Sequence, residues 1–171
     1  MNPKRVVTFL VTFLLIAVFT TAKPSSATKP DTGPSIFGEG TFTFRNPIAM
    51  RTEHFEFSFD ATVNKNGTGR GHAQFNNLTT QTEIEVKIDC VTLSEADAVM
   101  SGRVRHSDDP SFPKHMRVVF AAIDGIQLPF PFADQITPLF GTFIFPGFEN
   151  DCTVSPLTIL PLDSGVIVIE P

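Results

Sequence analysis

The chain has 171 residues, which is enough for one domain and too few for two domains of ordinary size. It carries 13 Lys and Arg against 18 Asp and Glu, and it contains 18 Phe but no Trp and no Tyr. The acidic balance, without a run of basic residues after the N-terminal segment, argues against nucleic acid or an anionic membrane surface as a partner. The absence of Trp and Tyr argues against a carbohydrate-binding surface, which normally stacks sugars on such rings.

Residues 1–27 are predicted to be a cleaved secretory signal peptide. Two basic residues precede an apolar run from Val6 to Val18, and small-residue cleavage sites end at Ala22 and Ala27. The alternative is a retained anchor helix, but the run is shorter than the roughly 20 residues that a bilayer requires. Cleavage after Ala27 removes three of the 13 bases and leaves 10 bases against 18 acids, a net charge of −8. The protein is therefore expected outside the cell or in the periplasm.

Residues 28–35 are predicted to be a flexible lead-in, and residues 36–171 a single antiparallel β domain. The lead-in reads "TKPDTGPS", which has no apolar face. In the stretch 55–63 the sequence is "FEFSFDATV", where apolar and polar residues alternate with the period of a strand that buries one face. Asn and Gly follow in "NKNGTG" and suit a hairpin loop, after which the chain returns through "GRGHAQF".

The same period predicts strands elsewhere in the chain. They are expected around Phe42 and Phe44, and within residues 83–90, 97–105, 116–123, 139–145 and 165–169. About eight short strands with turn signals between them, and no amphipathic helix, predict an antiparallel β-barrel or β-sandwich. Sequential hairpins favour an up-and-down order. A barrel is slightly favoured because closure removes exposed strand edges.

Cys90 and Cys152 are predicted to form a disulfide bond, as an even pair does in an exported protein. Closing a loop of this size would contribute about 4 kcal/mol to stability. The alternation places Cys90 on the same parity as the apolar residues Ile84 to Ile88, so the bond is expected to be buried. Two isolated cysteines without CxxC spacing make a poor metal or redox motif.

Several motifs together resemble a family of uncharacterised secreted bacterial all-β proteins. They are "GEGTFTF", the hairpin "NKNGTGRGHAQF", the cysteine strand "IDCVTL", the element "ADQITPLF" and a terminal strand after a Gly. The resemblance covers nearly the whole mature chain and implies fold and export. It implies no activity, because it contains no catalytic signature. The chain departs from the family before the DQI element, where only Asp124 and Gly125 match an acidic, Gly-rich turn.

Four residues are candidates for ligand binding. His106 continues the inward parity of residues 98–104, and Asp124 continues that of residues 118–122, so both are expected in the mouth of the fold. There they could orient a polar group of a ligand or act as an acid/base pair. Phe130 and Phe132 belong to the Phe- and Pro-rich segment 126–148, which is expected to plug an open end, cover an apolar pocket or contact another protein.

Other chemistry is not indicated. "HSDDPSFPKH", residues 106–115, lacks the spacing of a zinc or calcium site, and no cofactor or metal is predicted. No nucleophile elbow or triad can be nominated, so no catalytic residue is assigned. Asn66 and Asn77 each begin an N-glycosylation acceptor pattern.

Three functions remain open. The first is a non-enzymatic secreted binding or interaction module with a protein partner. The second is a calycin-like carrier that holds a small apolar ligand in a Phe-lined barrel. The third is an enzyme that uses His106 and Asp124. A core filled by side chains would favour the first function, and an enclosed apolar cavity of about 300 Å³ or more the second.

Overall fold

The computed structural model describes residues 33–47, 49–64, 68–127, 133–141, 152 and 158–170. They form an antiparallel sheet of ten strands, with one short 3-10 helix at Gly125–Gln127 and no α-helix among them. The strands are β1 (Ser35–Asn46), β2 (Arg51–Val63), β3 (Gly69–Asn77), β4 (Thr82–Leu93), β5 (Asp97–Ser107), β6 (Arg117–Ile123), β7 (Gln135–Ile136), β8 (Phe140–Gly141), β9 (Leu160–Pro161) and β10 (Ser164–Glu170).

The predicted antiparallel all-β class is confirmed. Strands β1 to β6 pair in sequence order, each with the next, as an up-and-down arrangement requires. β10 pairs with β1 on the side opposite to β2. At the other end of the strand order, β7 and β8 both pair with β6, and β9 pairs with β7. The sequence predicted about eight strands, because the two-residue strands β7 and β9 are too short to show an alternating pattern.

The alternation of the first hairpin puts its phenylalanines in the core, as predicted. On β2, Phe57 and Phe59 are buried, and on β3 Phe75 is buried, while the polar residues between them face outward. Phe120 of β6 contacts both sides of this cluster, with ring centroids 5.7 Å from Phe59 and 5.2 Å from Phe75 in edge-on geometry. Such pairs add about 0.5–1.5 kcal/mol beyond the buried area.

The two ends of the strand order lie next to each other in the chain, because β9 and β10 are separated only by Leu162 and Asp163. Two carboxylates bridge this seam from the connection after β6. Asp134 accepts hydrogen bonds from Ile167 N at 2.7 Å and from Gly125 N at 2.9 Å. Asp124 accepts one from Ile169 N at 3.4 Å. The carboxylates of Asp134 and Asp124 thus accept hydrogen bonds from backbone N–H groups of β10 on the side of the strand away from β1.

The pairing of β4 with β5 contains two register shifts, and one of them reverses the expected orientation of a cysteine. Ile88 faces Gly102, but Cys90 faces Ser101, so Asp89 is an extra residue on β4. Ile88 and Val91 remain in the core, whereas Cys90 lies on the outer face. The prediction that Cys90 points inward was therefore wrong, because the shift changes the parity of the strand beyond it.

The disulfide between Cys90 and Cys152 is present, with the two Cα atoms 6.0 Å apart. It belongs to a second apolar cluster outside the sheet, where Cys152 packs with Val99, Val119 and Ala121. Those three residues have the outward parity of β5 and β6, so the bond attaches a distant part of the chain over an apolar outer patch. This explains why β6 is apolar on both faces after Arg117, with residues 118–122 all buried.

The described part of the segment 126–148 runs beside β6. Ile136 is fully buried in the main core, and Thr137 Oγ1 accepts a hydrogen bond from Ala121 N at 2.9 Å. The predicted strand 139–145 begins as β8, and its residues 142–145 lie outside the described residues. None of the helical structure in the described ranges is long and apolar enough to cross a membrane.

Candidate functional site

The structure separates His106 from Asp124. Asp124 follows β6, and its N–H donates to Ala96 O just before β5, at the start of that strand. His106 lies at the opposite end of β5. A strand rises about 3.3 Å per residue, so the two side chains are about 30 Å apart along the sheet. The prediction that they share one mouth of the fold was wrong. Consecutive antiparallel strands run in opposite directions, so β5 and β6 finish at opposite ends of the sheet.

His106 also faces away from the core. The first register shift of β4 and β5 leaves Arg105 as an extra residue, so Val86 faces Val104 while Glu85 faces His106. The His106 side chain is 58% exposed, and its Nε2 lies 3.4 Å from Asp108 Oδ1. The expected inward orientation of His106 was therefore wrong, for the same reason as that of Cys90.

Asp124 was expected to line the mouth of the fold, but it is buried and its carboxylate accepts hydrogen bonds from backbone N–H groups. Oδ1 accepts from Ile126 N at 3.0 Å, and Oδ2 accepts from Ile169 N. The residue thus holds the turn after β6 against β10. Phe130 and Phe132, the other predicted ligand-binding residues, lie outside the described residues.

A groove of about 980 Å³ lies on the outer face of strands β1 to β5. The register aligns five of its residues in one continuous row across these strands, one residue from each strand. In strand order this first row is Phe37, Asp60, His72, Lys87 and Arg103. All five side chains are exposed, because their parity is opposite to that of the core. With strands about 4.8 Å apart, the row is about 19 Å long.

A second row runs parallel to the first, two residues along each strand. It consists of Glu39, Ser58, Gln74 and Glu85, all of which line the groove. Gln74 is held in place by its Nε2, which donates to Glu83 Oε1 at 2.7 Å. The short side chain of Ser58 leaves space between Glu39 and Gln74 in this row.

The connection between β5 and β6 forms one wall of the groove. Lys114 and His115 line it there, beside Arg105. Two backbone hydrogen bonds fix this connection to β5, from His115 N to Val104 O at 2.8 Å and from Val104 N to Met116 O at 2.9 Å. The wall is therefore held in a fixed position against β5.

Charge is distributed unevenly along the groove. The groove is lined by acids on β1 and β2, Glu39 and Asp60, and by bases on β4, on β5 and in the wall, Lys87, Arg103, Arg105 and Lys114. One further acid, Glu85 of β4, lies among the bases, so that end keeps an excess of positive charge. No carboxylate in the described ranges lies within 4.0 Å of any of the four bases.

The basic end breaks the usual rule of cross-strand pairing. Lys87 lies directly opposite Arg103, and Arg103 lies directly opposite Arg117 on the next strand. Like charges in direct opposition destabilise a sheet. Arg117 is neutralised by Asp89, with a nitrogen–oxygen distance of 2.8 Å, but Lys87 and Arg103 have no such counter-charge. Positions that break such a local rule are expected at functional or strained sites, so this pair makes the groove the candidate site.

A second polar group lies on the outer face where β1, β2 and β10 meet. Thr43 Oγ1 donates to Asp163 Oδ2 at 2.6 Å and lies 3.1 Å from His54 Nδ1. The single hydroxyl proton of Thr43 is directed to the carboxylate, so the imidazole nitrogen acts as the donor in the second bond. A catalytic triad needs the opposite order, in which the imidazole accepts the hydroxyl proton.

The buried carboxylate of Glu53 has a structural role. It is 4% exposed and accepts hydrogen bonds from Arg51 Nε at 2.8 Å and from Asn77 Nδ2 at 2.9 Å. Asn77 is one of the two predicted glycosylation acceptors, and here its amide nitrogen is buried and donates to Glu53. The other acceptor, Asn66, lies outside the described residues. No group of three or more His, Cys, Asp or Glu positioned to hold a metal occurs within the described ranges.

The groove was missed in the sequence because its residues are far apart along the chain. The only local signal is the polar parity of each strand, and Lys87, Arg103 and Lys114 do not form a sequence cluster. Comparisons of the chain with protein-family models, with curated proteins and with solved structures found no match.

Proposed function

We propose that the chain is a secreted, non-enzymatic binding module whose partner occupies the outer groove of β1 to β5. The single observation that supports this most is the uncompensated pair of cations, Lys87 and Arg103, within a groove of about 980 Å³. Ligand sites typically have volumes of about 300–1,000 Å³, so the groove is of the right size for a ligand or a short segment of a partner.

The carrier alternative receives less support from the interior. A carrier holds its ligand inside, but six phenylalanine rings occupy the inner face with consecutive centroid separations between 5.1 and 6.4 Å. The enzyme alternative needed His106 and Asp124 to act on one substrate. Their positions at opposite ends of β5 leave them without a common reaction centre.

We also propose that the strands curve into a barrel. The supporting observation is that the two ends of the strand order, β9 and β10, are joined by two residues and bridged by Asp134 and Asp124. In this arrangement carboxylates replace the missing backbone ladder between β10 and the connection after β6. A crystal structure that left β10 and that connection apart would contradict the proposal.

Secretion rests on the predicted signal peptide and on the disulfide, which persists in oxidising compartments. It is tested by the intact mass of the protein recovered from the medium of the cells that produce it. Cleavage after Ala27 or after Ala22 gives two distinguishable masses. A full-length mass confined to the cell membrane would contradict secretion.

The binding function is tested by filling the groove. Ser58→Trp places an indole in the middle of the groove from an exposed position, and Thr52→Trp adds the same ring outside it on the same face of β2. Fluorescently labelled protein is titrated onto washed producing cells with their extracellular matrix. We expect saturable binding that Ser58→Trp weakens at least tenfold and Thr52→Trp leaves unchanged. Equal binding by both variants would show that the groove is not the contact region.

A further inference from the structure

The groove has two ends of opposite charge, and this polarity restricts what can bind it. The acidic end is formed by Glu39 and Asp60. The basic end has four bases, Lys87, Arg103, Arg105 and Lys114, against one carboxylate, Glu85. Between the two ends lie side chains without a fixed charge. A complementary ligand therefore carries negative charge at one end and positive charge at the other, because like charges brought together would weaken binding.

The basic end is suited to carboxylates. Arg103 and Arg105 present guanidinium groups, which bind carboxylates through two parallel hydrogen bonds, and Lys87 and Lys114 add point charges beside them. None of the four has a carboxylate of the described chain within 4.0 Å. A bound anion would also relieve the repulsion between Lys87 and Arg103, so binding gains more here than at an isolated cation.

The acidic end is suited to a Lys or Arg side chain. Phe37 is 44% exposed and lies directly opposite Asp60 in the register. An aromatic face beside a carboxylate can hold a cation through the ring and the carboxylate at once. The apolar stem of a long basic side chain can cover the ring of Phe37 at the same time.

A uniformly anionic polymer fits this arrangement poorly. Its charges would meet Glu39 and Asp60 at one end, and the chain has no Trp or Tyr on which a sugar ring could stack. A peptide can change the sign of its charge from one residue to the next. At about 3.3 Å per extended residue, about six residues cover the row of about 19 Å.

We infer that the groove binds an extended peptide segment of a partner protein, about six residues long, across strands β1 to β5. Acidic side chains of the peptide lie over Lys87, Arg103, Arg105 and Lys114, and a basic side chain lies over Phe37 and Asp60. This inference rests on the proposed binding function and names the ligand class of that same groove.

The test begins with a random heptapeptide library displayed on phage and selected on the full mature chain. A parallel selection on Arg103→Glu identifies peptides that do not depend on the basic end. We expect the peptides enriched only on the unsubstituted protein to share acidic residues at one end and Lys or Arg at the other. Failure to enrich such peptides over the parallel selection would overturn the inference.

The best enriched peptide is then synthesised with a fluorophore, and its dissociation constant is measured by fluorescence anisotropy. Arg103→Glu and Asp60→Lys are each expected to weaken binding at least tenfold. Arg70→Glu, an exposed charge reversal on the outer face of β3 that does not line the groove, is expected to change it less than twofold. Thermal unfolding of each variant shows whether it has folded.

Asp60→Lys distinguishes the peptide from a polyanion, because it removes a contact for the first and adds one for the second. An octagalacturonate probe that binds more tightly to Asp60→Lys than to the unsubstituted protein would overturn the peptide assignment. If Ser58→Trp abolishes cell binding while the charge reversals do not, the binding function stands and only the ligand class is wrong.

Discussion

Replacement of Asp134 by Ala removes the main side-chain bridge across the seam of the sheet. The two carboxylate oxygens accept hydrogen bonds from Gly125 N and Ile167 N, at 2.9 and 2.7 Å. Both donors belong to buried residues, and Ile167 has no exposed surface, so water cannot readily replace the lost acceptor. The substitution therefore leaves two backbone N–H groups unsatisfied in the folded state.

The expected loss follows from the strength of these bonds. A hydrogen bond to a charged acceptor contributes about 1.5–3 kcal/mol, and the lower value applies because Asp134 is only partly buried. Two such bonds give a loss of about 3 kcal/mol for Asp134→Ala. Asp134→Asn keeps one acceptor oxygen and should lose about half of that amount. With a urea slope of about 2 kcal/mol/M, the midpoint for the Ala variant falls by about 1.5 M.

Urea unfolding followed by circular dichroism measures the stability, and amide hydrogen exchange at Ile167 measures the local effect. Exchange at Ile167 should accelerate before the remainder of β10 is affected. The matched control is Asp97→Ala, an exposed carboxylate at the start of β5, which should remain within about 0.5 kcal/mol of the unsubstituted protein. A loss below about 1 kcal/mol in Asp134→Ala, with unchanged exchange at Ile167, would refute the role assigned to this carboxylate.

Three further substitutions test other parts of the fold by urea unfolding. Cys152→Ser should cost about 4 kcal/mol, and reduction of the unsubstituted protein should reproduce that loss. Phe120→Ala should cost about 3–5 kcal/mol because its ring joins two sides of the core, and a loss under 1 kcal/mol would contradict this packing. Gly165→Ala should cost at least about 2 kcal/mol, because Gly165 has a φ of 114° and an added Cβ would overlap the carbonyl oxygen of Glu39. A stability equal to that of the unsubstituted protein would disprove this close approach.

The alternating pattern predicted the first hairpin correctly because its strands pair without interruption. Phe57 and Phe59 on β2 face Phe75 and Ala73 on β3, residue for residue. Nothing in such a stretch disturbs the relation between parity and face. The antiparallel class and the inward orientation of the phenylalanines could therefore be read from the sequence alone.

The same reasoning failed where a strand holds one residue more than its partner. Arg105 and Asp89 are the extra residues, and both are polar and exposed, as they would be in a regular strand. Their side chains give no sign of the shift, so the faces of His106 and Cys90 could not be predicted. The separation of His106 from Asp124 was predictable, because adjacent antiparallel strands run in opposite directions and finish at opposite ends of the sheet.

The groove depends on register, which the sequence did not supply. Lys87 and Arg103 become neighbours only because Ile88 faces Gly102 on the adjoining strands. A shift by one residue would place other side chains opposite each other and remove the pair of facing cations. Composition indicated an acidic protein without a basic cluster, and folding assembled one from single residues on several elements.

The pairing of β1 with β10 has a consequence for how the protein acquires its structure. Ser35 and Glu170 are register partners and are joined by a side-chain hydrogen bond although 135 residues separate them. Contacts between such remote residues slow folding, since a long loop must close before they form. Until that happens, β1 presents unpaired backbone groups that can recruit a strand from another molecule. Yield at high protein concentration should thus depend on how fast β1 pairs with β10, and dilute refolding should favour the monomer.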